Sequence, residues 1–249
     1  MEWKISKTNS LGVEDLRSQF LAENNFQFIH NKCHEYGWAD VYLFASGNQS
    51  LGYGAVWGKY RREDRDCIFE FYLKPPFREF ADEIFNGLIT ISKPQWIECQ
   101  SNDPLLSSLF FGNAVDIRAE AVLFAECYTS SLRLSGTSFR KNSAPDHPAG
   151  SGEYVLEHNG EAVASGGFLM NYNFPYADIY MDVKEDFRKQ GFGSFIIQEL
   201  KKEIYHAGRV PAARCNIRNL ASKRALLKAG FTICGLLLAG KAGTMENGS

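Results

Sequence analysis

One stretch, residues 177–200, constrains the fold of this chain more than any other because its hydrophobic period changes halfway along it. Its first part alternates apolar and polar residues with a period of two, which predicts a strand with one apolar face. The apolar set is Ile179, Met181 and Val183, and the polar set is Asp178, Tyr180 and Asp182. From Phe192 onward apolar residues recur at helical spacing, and Gly208 then follows as a C-cap glycine. The stretch therefore predicts a strand, a turn and a helix.

The turn between this strand and helix, residues 188–194, reads Arg-Lys-Gln-Gly-Phe-Gly-Ser. Its two glycines let the backbone approach a ligand closely, and the start of a helix offers unpaired N–H groups. Together these features predict an anion site. The spacing matches neither a P-loop nor the dinucleotide-binding fingerprint. A tight turn that binds nothing is the alternative interpretation of the loop taken alone.

A second segment, residues 213–231, makes the pattern more specific. A short strand leads to Asn219, a good N-cap, and a helix then runs to Gly230, a C-cap glycine. The residues that carry a resemblance are Arg188-x-x-Gly191-x-Gly193, Asn219-x-x-Ser222 and Gly230-Phe231. In this order they resemble the GNAT superfamily of acyl-CoA-dependent N-acetyltransferases. The resemblance covers roughly the last hundred residues of the chain.

The resemblance implies acetyl-CoA as co-substrate, with its pyrophosphate on the glycine loop and its pantetheine arm paired to the strand before that loop. The cofactor-binding residues implied are Met181, Val183, Arg188, Lys189, Gln190, Gly191, Phe192, Gly193, Ser194, Asn219 and Ser222. It also implies that two central strands splay apart around the thioester carbonyl, which an amine attacks directly. One departure is Leu226, which stands where many members carry a tyrosine that protonates the leaving thiolate.

The polar face of the first strand offers candidate catalytic groups. A protonated amine must lose a proton before it attacks, and a carboxylate is a suitable acceptor. Asp178 and Asp182 share that face with Tyr180, whose hydroxyl can donate to the thiolate. The alternative is that this face simply meets solvent or a second layer. Cys215 and Cys234 are considered as acyl-carrying nucleophiles, but neither has a histidine nearby in sequence, which favours structural thiols.

The N-terminal half repeats the same order of predicted strands and helices. Residues 73–78 echo residues 183–188, and residues 99–102 echo residues 215–219. We therefore expect an α/β protein of tandem GNAT-like folds, each a splayed mixed sheet flanked by helices. The expected parts are a degenerate N-terminal domain at 1–134, a linker at 135–152 and an acetyl-CoA-binding domain at 153–249. In the first copy Ala81 and Glu83 replace the two glycines, and the Glu83 carboxylate would repel a pyrophosphate. A chance recurrence of common α/β units is the alternative.

Charge and composition add weaker expectations. Residues 1–130 carry a net charge of −6 and residues 131–249 a net charge of +4, within a total of −2. A basic second half suits a polyanionic cofactor and an acidic first half suits a cationic amine, although both charges can equally serve only solvation. Six cysteines without paired spacing predict reduced thiols and a cytoplasmic protein. His30, Cys33 and His34 share a helical spacing, but no further ligand lies close by, so no metal is expected.

The sequence as a whole predicts an N-acetyltransferase that moves an acetyl group from acetyl-CoA to a primary amine of a small molecule or peptide. The alternative is a non-catalytic acyl-CoA-binding regulatory module, and a third possibility is a scaffold that uses the fold only for association. No apolar run reaches the roughly 20 residues that cross a bilayer, so no membrane partner is expected. No nucleic acid is expected either, because no RNA- or DNA-binding motif occurs. No motif indicates an oligomeric state.

Overall fold

The computed structural model describes residues 2–29, 31–142 and 152–243, which form an α/β structure built on mixed β-sheet, as predicted. The strands are β1 (Lys4–Thr8), β2 (Asp40–Ser46), β3 (Gln49–Trp57), β4 (Cys67–Leu73), β5 (Trp96–Gln100), β6 (Ala114–Glu126), β7 (Thr137–Lys141), β8 (Tyr154–His158), β9 (Glu161–Leu169), β10 (Tyr176–Val183), β11 (Val210–Asn216) and β12 (Phe231–Ala242). The helices are α1 (Glu14–Glu23), α2 (Asn31–Glu35), α3 (Ala81–Ser92), α4 (Pro104–Asn113), α5 (Phe192–His206) and α6 (Leu220–Lys228).

The chain divides into two compact units. Unit 1 comprises residues 1–26, 30–120 and 236–249, and unit 2 comprises residues 27–29 and 121–235. Two strands therefore contribute to both units, because β6 passes from unit 1 into unit 2 and β12 passes from unit 2 back into unit 1. This exchange was not predicted from the sequence, since nothing in the local hydrophobic pattern of a strand specifies which neighbour it pairs with.

Unit 1 is a sheet in the order β1-β2-β3-β4-β5, continued by the last part of β12. Its neighbours are antiparallel except β4 and β5, which run parallel. Helix α3 buries Ile84, Phe85 and Leu88 against one face, where Phe71 meets Phe85 edge to face at 5.1 Å. Helix α1 covers the other face through Phe20, which lies 6.2 Å from Tyr53. Both faces of the sheet are covered, so strand residues of both faces are buried.

Unit 2 is a sheet in the order β7-β8-β9-β10-β11, continued by the last part of β6. Only β10 and β11 run parallel to each other. Helix α5 packs on β9, β10 and β11 and buries Ile196, Ile197, Leu200 and Ile204, the helical stripe expected from the sequence. It ends at Gly208, whose φ of 70° is the left-handed conformation that favours glycine.

The two copies repeat in detail. In each, a central strand is followed by an arginine whose Nε donates to the carbonyl of the strand's last residue: Arg78 to Leu73 at 3.1 Å, and Arg188 to Val183 at 3.0 Å. In each copy, an Asp or Asn side chain caps the second α-helix after that central strand. Asp103 accepts from the Leu106 amide at 3.1 Å, and Asn219 accepts from the Ser222 amide at 3.0 Å.

Three details of the sequence interpretation need correction. The first-copy equivalent of Asn219 is Asp103, not Asn102, because Asp103 is the residue that caps α4. The apolar stripe of residues 77–91 predicts a single helix, but its first part lies in a 3₁₀ turn, Pro75–Phe80, because two prolines fix the first residues of that turn before α3 starts. The segment 135–152, expected to be a linker, contains β7, whose pairing with β8 outweighs its turn-rich composition. Residues 143–151 of that segment lie outside the described residues.

Asp103 gives a stability prediction. Burial raises the pKa of its carboxyl to about 7, against the opposing effect of the Leu106 amide that it caps. A raised folded-state pKa means that stability is lost as pH rises from about 4 to 7, because the carboxyl must then ionise in a buried site. Asn keeps the cap without the charge, as Asn219 does in the second copy. We expect Asp103→Asn to raise the free energy of unfolding at pH 8 by about 1 kcal/mol or more.

The measurement is urea denaturation of both proteins at pH 4 and pH 8. The gain is expected at pH 8 and should shrink toward zero near pH 4. Asn219→Asp is the mirror-image control, because its exposed site places no burial cost on a charge. A gain from Asp103→Asn that is equal at both pH values would contradict the explanation.

Candidate functional site

The candidate site of unit 2 begins where β10 and β11 separate. The two strands pair in parallel from Tyr176 opposite Val210 to Ile179 opposite Ala213. Beyond that point β10 continues to Val183 with its pairing to β9 intact, whereas β11 stays paired with β6. A gap therefore opens between the two central strands, as the resemblance implied.

Backbone groups of β10 line one side of this gap. The Lys184 amide donates to the Val163 carbonyl at 3.0 Å, on the β9 side. Because backbone groups point alternately to the two edges of a strand, those of Met181 and Val183 point to the opposite edge. The Val183 carbonyl confirms this direction, since it accepts from Arg188 Nε and not from β9. Beyond Ile179 no described strand pairs with this edge, so the Met181 N–H and C=O are available to an extended ligand.

The glycine loop follows directly and is held open by two residues in the left-handed region. Lys189 has a φ of 63° and Gly191 a φ of 96°. The first helical hydrogen bond runs from the Phe195 amide to the Gly191 carbonyl at 3.1 Å, so the amides that precede it at the start of α5 have no intrahelical acceptor. They form a cluster of N–H donors at the positive end of a helix of 15 residues, which favours a phosphate.

The two loop glycines leave room for a ligand in different ways. A Cβ at Gly191 would meet only Leu134 Cδ2, at 3.8 Å, but the φ there is one that other residues adopt with strain. A Cβ at Gly193 would touch Met181 and Val183 at 3.5 Å, an ordinary contact. The open glycine loop and its cluster of amides fit a pyrophosphate. The unpaired edge of β10 fits an extended arm attached to it, as in acetyl-CoA.

The remaining loop residues differ in what they can offer a ligand. The Phe192 and Ser194 side chains are buried, so they can contact a ligand only through their amides. Phe192 anchors the loop by packing 5.1 Å from the His158 ring and 6.1 Å from the Phe187 ring. Gln190 donates to the Asp186 carbonyl at 3.0 Å, and Lys189 is exposed. Both cations of the loop are therefore exposed, but Arg188 is tethered to β10 through its bond to the Val183 carbonyl.

Asn219 and Ser222 lie at the start of α6, which follows β11 across the gap. Asn219 is exposed and uses its Oδ1 to cap the helix, and Ser222 is half-buried. The Ser222 side chain approaches the thiol of Cys215, which lies on β11. The structure thus brings Asn219 and Ser222 to the β11 side of the gap, opposite the edge of Met181 and Val183.

The proposed catalytic residues lie on the other face of β10, away from α5. Tyr180 is 40% exposed, and its ring lies across Gly167, where a Cβ would meet the hydroxyl oxygen at 2.5 Å. The Asp182 side chain is 77% exposed and lies 3.8 Å from Arg188 Nη2. Asp178 is buried and forms an ion pair with Arg214 Nε at 3.2 Å. The three share a face, but they differ sharply in exposure and in partners.

Arg214 is a polar residue of this face that the sequence interpretation did not select. It is the first residue of β11 past the paired region and lies on the same face as Asp178. Its Nη2 also donates to the Tyr172 hydroxyl. An arginine in the middle of the apolar run Val210–Cys215 is the signal that could have indicated it, since an interior strand position rarely carries a charge without a partner.

The corresponding parts of unit 1 are closed. The turn Pro75–Phe80 runs directly into α3, and no described residue of 74–83 has a positive φ. The open loop conformation of unit 2 therefore does not form in unit 1.

The strand face of unit 1 is covered as well. Glu70, at the position of Tyr180, is completely buried beneath α1 and α2. It accepts from Tyr53 at 2.9 Å and contacts Arg17 and His34 at 3.3 and 3.1 Å. Arg78 forms an ion pair with Glu23 of α1 at 2.6 Å. Helix α1 thus covers the face that unit 2 leaves exposed at Tyr180.

Five of the six cysteines are buried or half-buried, and Cys127 is exposed. Burial raises the pKa of Cys215 above its ordinary value and raises the pKa of Cys234 to about 11. Cys33, Cys67 and Cys99 are buried in unit 1, where burial raises their pKa as well. A thiolate nucleophile needs a lowered pKa, so these environments favour the structural role over acyl transfer.

Neither a metal site nor a membrane-spanning helix occurs in the part of the chain that the structure describes. No group of His, Cys, Asp and Glu there has the arrangement of a metal site, and His30, one of the three residues weighed for a metal, lies outside that part. Within the same residues, no helix has the length and apolar character that a membrane span requires.

Comparison with protein families identifies both halves of the chain. A model described as "Acetyltransferase (GNAT) domain" matches residues 9–127, and one described as "Acetyltransferase (GNAT) family" matches residues 121–231. The fold and the site define a protein of the acyl-CoA-dependent acetyltransferase class. The chain belongs to the GNAT superfamily, and both of its halves match GNAT models. A search of the curated proteins found no match.

Solved structures similar to this chain extend over its whole length. An acetyltransferase of the GNAT family from Colwellia psychrerythraea is 17% identical, with a TM-score of 0.73 over 96% of this chain and 99% of that one. A tandem GNAT protein from the clavulanic acid biosynthesis pathway is 10% identical, with a TM-score of 0.63 over 98% and 100%. A GCN5-related N-acetyltransferase from Sphaerobacter thermophilus is 11% identical, with a TM-score of 0.57 over 93% and 86%. At these identities the likeness shows the tandem fold.

Proposed function

We propose that this protein is an N-acetyltransferase that transfers the acetyl group of acetyl-CoA to a primary amine of a small molecule or peptide, using the second copy only. The observation that supports this most directly is the pairing of an open glycine loop with an uncovered strand face in unit 2. In unit 1 the equivalent loop is closed and the equivalent face is covered by α1. The cofactor can therefore approach the glycine loop and the unpaired edge of β10, and the acceptor can approach the face of β10 that carries Tyr180.

In this proposal acetyl-CoA supplies a thioester carbon, and the amine nitrogen attacks it while the C–S bond breaks and the thiolate leaves. The Met181 and Val183 backbone holds the extended arm, and the residues 188–194 hold the pyrophosphate through their amides. Orientation of this kind lowers the barrier by converting a bimolecular reaction into an effectively unimolecular one. Asn219 and Ser222 bound the opposite side of the gap.

Two protons must move during the transfer. We propose that Tyr180, exposed and at the point where the strands separate, donates a proton to the leaving thiolate in place of the tyrosine that Leu226 replaces. Asp182 is the exposed carboxylate that can accept a proton from the amine. Asp178 is buried and held in its ion pair with Arg214, and we assign it a positioning role toward Arg214.

Tyr180→Phe tests the proton donor. We expect kcat to fall about 100-fold, in the range of general acid catalysis, with the KM for acetyl-CoA unchanged because the proposed cofactor contacts are backbone groups of β10 and of the glycine loop. Tyr36→Phe is the matched control, since Tyr36 is equally a surface tyrosine but lies in unit 1. Steady-state kinetics against both substrates would measure the effect. A kcat equal to that of the wild type would remove Tyr180 from the mechanism.

The proposed reaction itself is tested by following free thiol released from acetyl-CoA in the presence of primary amines, with mass spectrometry of the products. Acetylated amine and free CoA in equal amounts are expected. The second candidate is a non-catalytic acyl-CoA-binding regulatory module, favoured by the buried, apolar Leu226 at the position of the usual acid. Tight acetyl-CoA binding with no thiol release from any amine would select that candidate.

A further inference from the structure

The arrangement around Arg214 indicates the chemical class of the acceptor. Its guanidinium lies in unit 2 on the face of Tyr180, next to the gap between β10 and β11. We propose that Arg214 binds a carboxylate of the acceptor, so that the preferred acceptor is a free amino acid or a similar amine that bears a carboxylate. This inference rests on the proposed function and adds the substrate class and a specificity-determining residue to it.

The first observation is that the guanidinium is fixed in place. Nε pairs with the Asp178 carboxylate at 3.2 Å, and Nη2 donates to the Tyr172 hydroxyl. Asp178 is itself buried, so it cannot move away with solvent as a surface carboxylate would. A guanidinium that is held in one orientation loses little entropy when it binds a carboxylate through its planar fork.

The second observation is that two aromatic neighbours lie on the same side of the guanidinium. Its central carbon lies 5.2 Å from the centroid of the Phe28 ring and 5.3 Å from that of Tyr172. The two rings lie only 5.6 Å from each other, so they cannot stack on opposite faces of the guanidinium. The rings support it from one side, and the Arg214 side chain remains 31% exposed.

The third observation is the mixture of charges and apolar surface around it. Asp178 balances the charge of Arg214, so the pair as a whole is neutral and complements a zwitterion, which carries both an ammonium and a carboxylate. Leu169 lies opposite Asp178 in the register of β9 and β10, and both Leu169 and Tyr180 are exposed. They offer apolar contact to the rest of such an acceptor. A plain amine would bring no carboxylate to accept from the Arg214 guanidinium.

The test compares the twenty amino acids with the α-amide of each, using thiol release from acetyl-CoA. We expect kcat/KM for the preferred amino acid to exceed that for its amide about 100-fold or more, because the amide lacks the charge that Arg214 would pair. Arg214→Gln should reduce kcat/KM for the amino acid by a similar factor, mainly through KM, and leave the amide unchanged. Arg218→Gln, an exposed arginine on the following turn, is the control.

Two additions keep the test decisive. The double variant Asp178→Asn/Arg214→Gln removes both charges together, so it guards against misfolding caused by an uncompensated buried carboxylate. Calorimetric titration of the amino acid and of its amide into the enzyme saturated with CoA measures the preference without catalysis. Equal binding and equal acetylation of acid and amide would overturn the inference while leaving the transferase intact. Preferential binding of the acid without thiol release would support Arg214 and contradict the transferase.

Discussion

Gly191→Glu is expected to abolish the binding of acetyl-CoA. The φ of 96° at Gly191 is left-handed, a conformation that costs other residues about 1–2 kcal/mol, so the loop must distort or store strain. The new carboxylate would also stand among the amides proposed to hold the pyrophosphate, in the same loop where the first copy carries Glu83 at the position of Gly193. We expect the Kd to rise at least 100-fold, or about 2.7 kcal/mol.

The matched control is Gly208→Glu. Gly208 also has a left-handed φ, of 70°, and a Cβ there would meet nothing within 4 Å. It lies beyond the other end of α5 from the loop, so this variant carries the same backbone strain and the same charge away from the proposed site. Calorimetric titration should show wild-type affinity for Gly208→Glu. Equal losses of affinity in both variants would mean that strain in unit 2, and not the loop, explains the effect.

Arg17→Ala is expected to destabilise unit 1 by about 3–5 kcal/mol, because it removes the main counter-charge of a completely buried carboxylate. Burial alone would raise the pKa of Glu70, but the charges of Arg17 and then His34 outweigh it and hold that pKa well below its usual range. Arg140→Ala is the control, since its ion pair with Glu157 is exposed and such pairs contribute only about 0–1 kcal/mol.

The pH dependence of Arg17→Ala follows from the direction of that shift. A lowered folded-state pKa contributes stability that is complete above the ordinary Glu pKa of about 4.3 and is lost as pH falls below it. The difference in unfolding free energy between wild type and Arg17→Ala should therefore be largest near pH 7 and shrink below pH 4. The double variant Arg17→Met/Glu70→Gln should recover most of the loss because no unpaired charge is left buried. A constant difference across this pH range would contradict the role assigned to Glu70.

The strand, loop and helix of unit 2 were predictable from local sequence because each carries its own signal. The period-two pattern of β10, the glycines at 191 and 193, and the capping residues Asn219 and Gly208 all act within a few residues of where they stand. The same kind of local signal predicted the repeat, because the residues before and at Arg78 resemble those before and at Arg188. The loop conformation then follows from the glycine pattern, since only the second copy adopts a left-handed φ there.

Features that depend on distant residues were not predictable in this way. The exchange of β6 and β12 between the units is set by pairing partners far apart in sequence. The burial of Glu70 depends on Arg17 and His34, and no local pattern joins these three residues. Arg214 was missed for the same reason, because its partner Asp178 is 36 positions away and belongs to another strand.

The central claim is that the second copy alone is the acetyl-CoA site, and calorimetric titration of acetyl-CoA into the intact protein tests it most directly. We expect one molecule to bind per chain, with no second binding event, because unit 1 has neither an open loop nor an uncovered strand face. Gly191→Glu should remove that single event. Two events per chain, or one that persists in Gly191→Glu, would contradict the account.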